Sequence, residues 1–190
     1  MIRLPIKSLL LTQEPNWIVS RPGEHHTIPR SAQSWIYEPG SITQRLRSYY
    51  GDAVKVKILL NCRRLPFLSE RERLKLNPGR YTLTREVLLH ADGKPLVLAR
   101  TLIPEKTIKA ARRNLAHLGT KPLGEVIFSY PKLARLEMDF ALIAPPLWTP
   151  FAVNEACIEQ PLWARRTVYA IRQKPLLVNE FFLPEVLNLL

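Results

Sequence analysis

Residues 81–90 read Tyr-Thr-Leu-Thr-Arg-Glu-Val-Leu-Leu-His, residues 91–94 Ala-Asp-Gly-Lys, and residues 96–103 Leu-Val-Leu-Ala-Arg-Thr-Leu-Ile. The two apolar runs have the composition of strands. The Asp-Gly pair between them favours positive φ at both central turn positions, which is the strongest local signal for a β-hairpin. An antiparallel sheet is therefore expected at the centre of the fold.

The remaining elements arrange themselves around that hairpin. A second hairpin is expected from residues 163–171 and 176–183, turning at Arg172-Gln173-Lys174-Pro175, with further strands over residues 54–60 and 133–143. Ser41-Ile42-Thr43-Gln44 has the form of a capping box, which predicts a helix through Tyr50 stopped by Gly51. Ser69-Glu70-Arg71-Glu72 predicts a second capped helix, closed by Asn77-Pro78-Gly79. Short helices are also expected over residues 31–37 and 123–128, and an amphipathic one over 106–118. Residues 1–30 carry Pro5, Pro15, Pro22, Gly23 and Pro29 and read as an irregular arm. Residues 31–190 then form one domain, with residues 144–161 as a proline-bearing excursion. Hairpin-linked strands with inserted helices predict a single α+β domain built on an antiparallel sheet.

The chain has 190 residues, 46% hydrophobic and 23% charged, which is the balance of a globular protein able to bury a core. No apolar run is long enough to span a membrane, and the N-terminal stretch is broken too early by Gln13, Glu14 and Pro15 to serve as a secretory signal. A cytoplasmic protein is expected, with Cys62 and Cys157 reduced. The net charge of +12 is spread along the chain, densest at Arg63-Arg64 and Arg112-Arg113. Without an interleaved basic and aromatic stripe it points away from nucleic acid and toward a small anion.

Three charges sit in apolar register. Alternate strand residues share a face, so Arg85 lies with Leu83, Val87 and Leu89; Arg100 with Leu98 and Leu102; and Glu180 with Val178 and Phe182. A lone buried charge costs several kcal/mol unless it is paired. Each residue taken singly fits a structural ion pair, or a stem that packs while its head reaches water. Taken together they predict an enclosed pocket. One carboxylate leaves two arginines with positive charge to spare, which an anionic ligand would balance, and the arginine fork suits a carboxylate.

Other candidates carry less. The loop Leu118-Gly119-Thr120-Lys121-Pro122-Leu123-Gly124 could present amides to an anion, but its spacing is that of an ordinary helix stop and start. His25-His26 has no partner in the sequence that would complete a metal site, and His90 and His117 have no nucleophile. No metal is expected.

Several stretches, in order, resemble the chorismate lyase family: Gly40-Ser41-Ile42-Thr43-Gln44-Arg45-Leu46, Arg80-Tyr81 with Arg85-Glu86-Val87-Leu88-Leu89, and Ala91-Asp92-Gly93-Lys94-Pro95. Ala99-Arg100-Thr101-Leu102-Ile103-Pro104, the loop at 118–124, Leu162-Trp163-Ala164-Arg165-Arg166 and residues 174–184 continue the match. The resemblance implies helical flaps over a buried site. It implies elimination of pyruvate from chorismate to leave 4-hydroxybenzoate, the ring precursor of ubiquinone, without cofactor or metal. It places Arg85 on the ring carboxylate, Glu180 on the ring hydroxyl, and the amides of Leu123 and Ile42 near the carboxylate; Ile42 stands where the family commonly has methionine.

Chorismate carries two carboxylates, so Arg100 is expected on the enolpyruvyl one and Glu180 orients the hydroxyl. A monomer is expected. The rival of another class is a non-catalytic module of the same fold that senses a small anion. A third reading, nucleic-acid binding, leaves Arg85 and Glu180 unexplained.

Overall fold

The computed structural model describes residues 6–20, 28–111 and 115–189. Their core is a seven-stranded antiparallel sheet. In chain order the elements are β1 (Ile18–Val19), α1 (Arg30–Ile36), α2 (Ile42–Tyr50), β2 (Lys55–Arg64), α3 (Leu68–Arg73), β3 (Thr82–Ala91) and β4 (Lys94–Ile103). There follow α4 (Glu105–Ala110), α5 (Leu123–Ile127), β5 (Ala134–Ile143), α6 (Pro150–Ala156), β6 (Leu162–Ile171), β7 (Lys174–Phe182) and α7 (Pro184–Leu187). The strands lie in the order β1-β5-β6-β7-β4-β3-β2, so the two expected hairpins, β3–β4 and β6–β7, meet along β4 and β7 at the centre. The fold is α+β, as the sequence predicts.

Both hairpins turn in two residues. Asp92 and Gly93 have φ of 49° and 78°, the left-handed pair that matches the twist of the flanking strands. Arg172 and Gln173 adopt 48° and 64° without a glycine, a conformation that costs side-chain-bearing residues energy. β4 and β7 are buried on both faces, which explains their nearly unbroken apolar runs.

Each face of the sheet has its own cover. On one, Leu89, Val97 and Phe182 pack under Trp35 and Ile36 of α1 and Leu46 of α2. On the other, Leu88, Leu98 and Phe181 pack under Leu10 and Leu11 of the arm, Trp148, and Ala152 of α6. The described stretch of the arm, residues 6–20, is thus seated on the core: its β1 pairs with β5, and Thr149 Oγ1 donates to the Leu9 carbonyl at 2.5 Å.

Several boundaries differ from expectation for local reasons. Ser41 caps α2, its Oγ accepting from the Gln44 amide at 3.4 Å. In α3 the cap falls two residues early: Phe67 occupies the cap position and Glu70 Oε2 accepts from its amide at 2.9 Å, while Ser69 binds Glu14 instead. The helix expected over 106–118 is α4, which ends at Ala110; Arg112 and Arg113 lie outside the described residues, and Leu115 and Leu118 stay buried without being helical. The excursion at 144–161 contains a 3-10 turn, Pro145–Leu147, and α6, whose cap is Thr149. Among the described residues no helix is long and apolar enough to cross a membrane.

Candidate functional site

Register decides what faces the space under α2. Arg85 pairs with Thr101, which pairs with Val178 of β7; Ala99 pairs with Glu180, which pairs with Arg165 of β6. These residues therefore share one face. Arg85 and Glu180 are two strands and one residue pair apart, roughly 12 Å between Cα atoms from ordinary strand spacing and rise. Between them Ala99, Thr101 and Val178 form the floor of a cavity of about 50 Å³.

The roof is made by two helix starts. Ser41, Ile42 and Thr43 come from the N-terminus of α2, and Pro122, Leu123 and Gly124 from that of α5. They approach so closely that a methyl group at Gly124 would stand 2.6 Å from Ser41 Oγ, so a larger residue would have to displace the hydroxyl that caps α2. Arg47 and Glu125 also pair between the two helices on the outside. Phe128 and Tyr169 close one side, with ring centroids 5.7 Å apart edge to face.

Arg85 is 3% exposed, and its Nη2 donates to the Lys121 carbonyl at 3.3 Å. Its Nη1 is buried with no hydrogen-bond partner, and among the described residues no carboxylate pairs with it. Burial without compensation pulls its pKa below the ordinary arginine value. A buried cation with an empty donor is a high-energy arrangement unless an anion completes it.

Glu180 is held differently. Arg165 Nε donates to Glu180 Oε2 at 2.5 Å, and Arg165 Nη1 donates to the Glu38 carbonyl at 2.7 Å. Burial pulls the Arg165 pKa down, but Glu180 outweighs it and the net displacement is upward. Arg165 was not among the expected site residues, although Trp163, Arg165, Thr167 and Tyr169 share a face by alternation just as Arg85 shares one with Val87.

Arg100 does not line this cavity, contrary to the expectation from apolar register. It pairs in the sheet with Glu86, one residue out of step with Arg85, and so emerges on the opposite face. There its Nε and Nη2 bind both oxygens of Glu70 at 2.9 and 3.0 Å, and its Nη1 donates to Glu86 Oε1 at 2.7 Å and the Lys7 carbonyl at 3.0 Å. Asn179 and Ser8 bind the same two carboxylates. Burial opposes its charge, but Glu70 and Glu86 more than offset this and hold Arg100 above the ordinary value. The charge count nevertheless survives with a changed member: the cavity face carries Arg85, Arg165 and Glu180, leaving one positive charge to spare.

Among the described residues no group of three or more His, Cys, Asp or Glu side chains is placed to hold a metal ion. His25 and His26 lie outside the described residues.

The family described as chorismate lyase matches residues 12–188. The chain belongs to the chorismate lyase family. A curated protein of Methylococcus capsulatus named "Probable chorismate pyruvate-lyase" is 42% identical over 156 residues, covering 82% of this chain and 96% of that protein. A protein of the same name from Thiobacillus denitrificans is 38% identical, covering 84% and 86%. Among solved structures, the effector domain of PhnF from Mycobacterium smegmatis has a TM-score of 0.54 at 14% identity, covering 77% of this chain and 90% of that one. The C-terminal domain of the histidine utilization repressor from Pseudomonas syringae pv. tomato has a TM-score of 0.52 at 9% identity, covering 70% and 92%. At such identity these two establish a shared fold alone. The chain thus covers 96% and 86% of the lengths of these two curated relatives.

Proposed function

We propose that this chorismate lyase-family chain eliminates pyruvate from chorismate to leave 4-hydroxybenzoate, which supplies the ubiquinone ring. The observation that carries the reading is the buried Arg85 with an unpartnered Nη1 at one end of a cavity whose other end is Glu180.

Arg85 holds the ring carboxylate through its fork, helped by first-turn amides of Ile42 and Leu123, which have no carbonyl partner within their own helices. Glu180 meets the ring hydroxyl. Ala99 and Val178 supply an apolar floor for the ring. The ether bond to the enolpyruvyl group breaks, and the hydrogen on the hydroxyl-bearing carbon is lost to the departing group, which becomes pyruvate. Aromatisation of the ring drives the step. The protein contributes a fixed conformer, exclusion of water and stabilisation of charge on the leaving group. No cofactor or metal is called for in this chemistry.

A void of about 50 Å³ does not hold an aromatic ring, since cavities of roughly 150 Å³ are what benzene takes up. The helix starts of α2 and α5 therefore part to admit substrate and release product, and that opening is a candidate for the slow step. Free Cys62 and Cys157 fit the cytoplasm.

The likeness to effector domains keeps a binding module as the second reading. Incubation of the purified protein with chorismate, without added metal, separates the two. Pyruvate and 4-hydroxybenzoate appear together if the chain is a lyase; binding of 4-hydroxybenzoate with release of neither product makes it a sensor.

A further inference from the structure

We infer that Arg165 is the positioning residue for Glu180, coupling the aim of that carboxylate to the segment that leads into the roof of the site. This rests on the reading of Glu180 as the partner of the ring hydroxyl.

Arg165 and Glu180 are directly opposed in register on β6 and β7, and their side chains meet at 2.5 Å through the guanidinium Nε. Arg165 is 1% exposed, with neighbours Trp163 and Phe140 on the same face. Its far end does not reach water. Nη1 donates to the carbonyl of Glu38 at 2.7 Å and lies 3.4 and 3.5 Å from those of Ile36 and Trp35. These carbonyls close the C-terminal end of α1, where a helix leaves its last acceptors without partners. The guanidinium thus has one edge on the carboxylate and the other on backbone.

That geometry has two effects on Glu180. A carboxylate tethered through one oxygen, Oε2, loses rotational freedom, and among the described residues no protein donor meets the other oxygen of this cavity-lining residue, which leaves Oε1 for the ring hydroxyl. A guanidinium also remains charged at all working pH values, so the Nε–H that aims Glu180 is a constant donor. Because Glu38 lies three residues before Ser41, displacement of the roof segment would be transmitted to the Nη1 contact. Arg165 touches no cavity volume itself, as it is absent from the lining. Its contribution runs through Glu180.

The test compares two probes in the full-length protein: 4-hydroxybenzoate, which engages both ends of the site, and benzoate, which lacks the hydroxyl. A hydrogen bond to a charged acceptor predicts that the wild type binds 4-hydroxybenzoate at least about 10-fold more tightly than benzoate. Arg165→Lys keeps the charge and loses the fork. It should leave benzoate affinity within about 3-fold of wild type while the preference for 4-hydroxybenzoate falls at least fivefold, and kcat for chorismate should fall more than KM rises. Equal loss for both probes, or an unchanged preference, overturns the positioning role. In Glu180→Gln the preference is already lost, and adding Arg165→Gln should change the ratio no further; a further drop overturns action through Glu180. The double variant buries no unpaired charge and serves if Arg165→Lys does not fold. A wild type that releases pyruvate from chorismate but does not distinguish the two probes overturns Glu180 as the partner of the hydroxyl, and the role of Arg165 with it; release of no pyruvate refutes the lyase reading alone, and the probe preferences then still decide the role of Arg165.

Discussion

Arg85 and Arg100 stand on adjacent strands one residue out of step, and so point to opposite faces of the same sheet. One is buried without a counter-ion and the other is held by two carboxylates. Their substitutions should therefore fail in opposite ways.

Arg85→Met keeps much of the buried stem and removes the uncompensated charge. Loss of one partner of a buried charged pair costs about 2–5 kcal/mol of binding, so 4-hydroxybenzoate affinity should fall by roughly 30-fold to several thousand-fold. The ligand-free variant should melt no lower than the wild type, because nothing in the empty site rewards the charge. Titration calorimetry and a thermal melt of the same preparation check both halves.

Arg100→Leu leaves Glu70 and Glu86 facing each other without a cation. Breaking a buried pair in this way costs about 3–5 kcal/mol, which for a chain of this size lowers Tm by about 6–20 °C. Below the melting transition, 4-hydroxybenzoate affinity should stay within a few-fold of wild type. A large affinity loss with an unchanged Tm would return Arg100 to the site.

The same network sets an acid limit to stability. Burial raises the Glu70 pKa, but Arg100, the Phe67 amide and Asn179 outweigh it and hold the carboxyl below its ordinary value of 4.5. The unfolded chain therefore takes up this proton first as pH falls, and stability rises with pH across that interval. The Glu70 contribution is fully present above pH 4.5 and is lost as pH drops through the lower folded value. Tm measured against pH should show a steep acid limb, and Glu70→Gln, though less stable at neutral pH, should show a shallower one.

Gly124→Ala presses on the hydroxyl that caps α2, since the added carbon would meet Ser41 Oγ at 2.6 Å, and so disturbs the roof where α2 and α5 start. Misplacement by about 1 Å can cost on the order of 100-fold in catalysis. Chorismate turnover should fall while 4-hydroxybenzoate dissociates faster, as followed by stopped-flow displacement. Ala at Gly93, remote from the site, gives the control for a glycine loss that costs only stability.

Local chemistry was legible in the sequence and partnership was not. Asp92-Gly93 and the Ser41 cap act within a few residues, so the hairpin and α2 could be read directly. Apolar alternation put Arg85 and Glu180 among apolar neighbours, and both line one cavity, Arg85 buried and Glu180 half-buried. It could not say which inside, because β4 and β7 are covered on both faces and either register looks buried. The partners of Arg100 come from α3 and β3, 30 and 14 residues away, and nothing local announces them. Arg165 was hidden by Arg166 beside it: a pair of arginines reads as surface, yet Arg165 turns to Glu180 and Arg166 to Asp139 on the other face. The roof was legible only through resemblance, since the contact of Ser41 with Gly124 joins segments with no shared sequence signal.

The seating of the arm has a consequence for how the chain is made. Ser8 binds Glu86, 78 residues later, and the Leu9 carbonyl waits for Thr149, 140 residues later. During synthesis the arm leaves the ribosome well before the segments it binds, so its apolar Leu10 and Leu11 wait for their cover while the sheet assembles. At translation rates of about 5–20 residues per second that interval lasts several seconds or more, a window in which a chaperone has its natural hold on this protein.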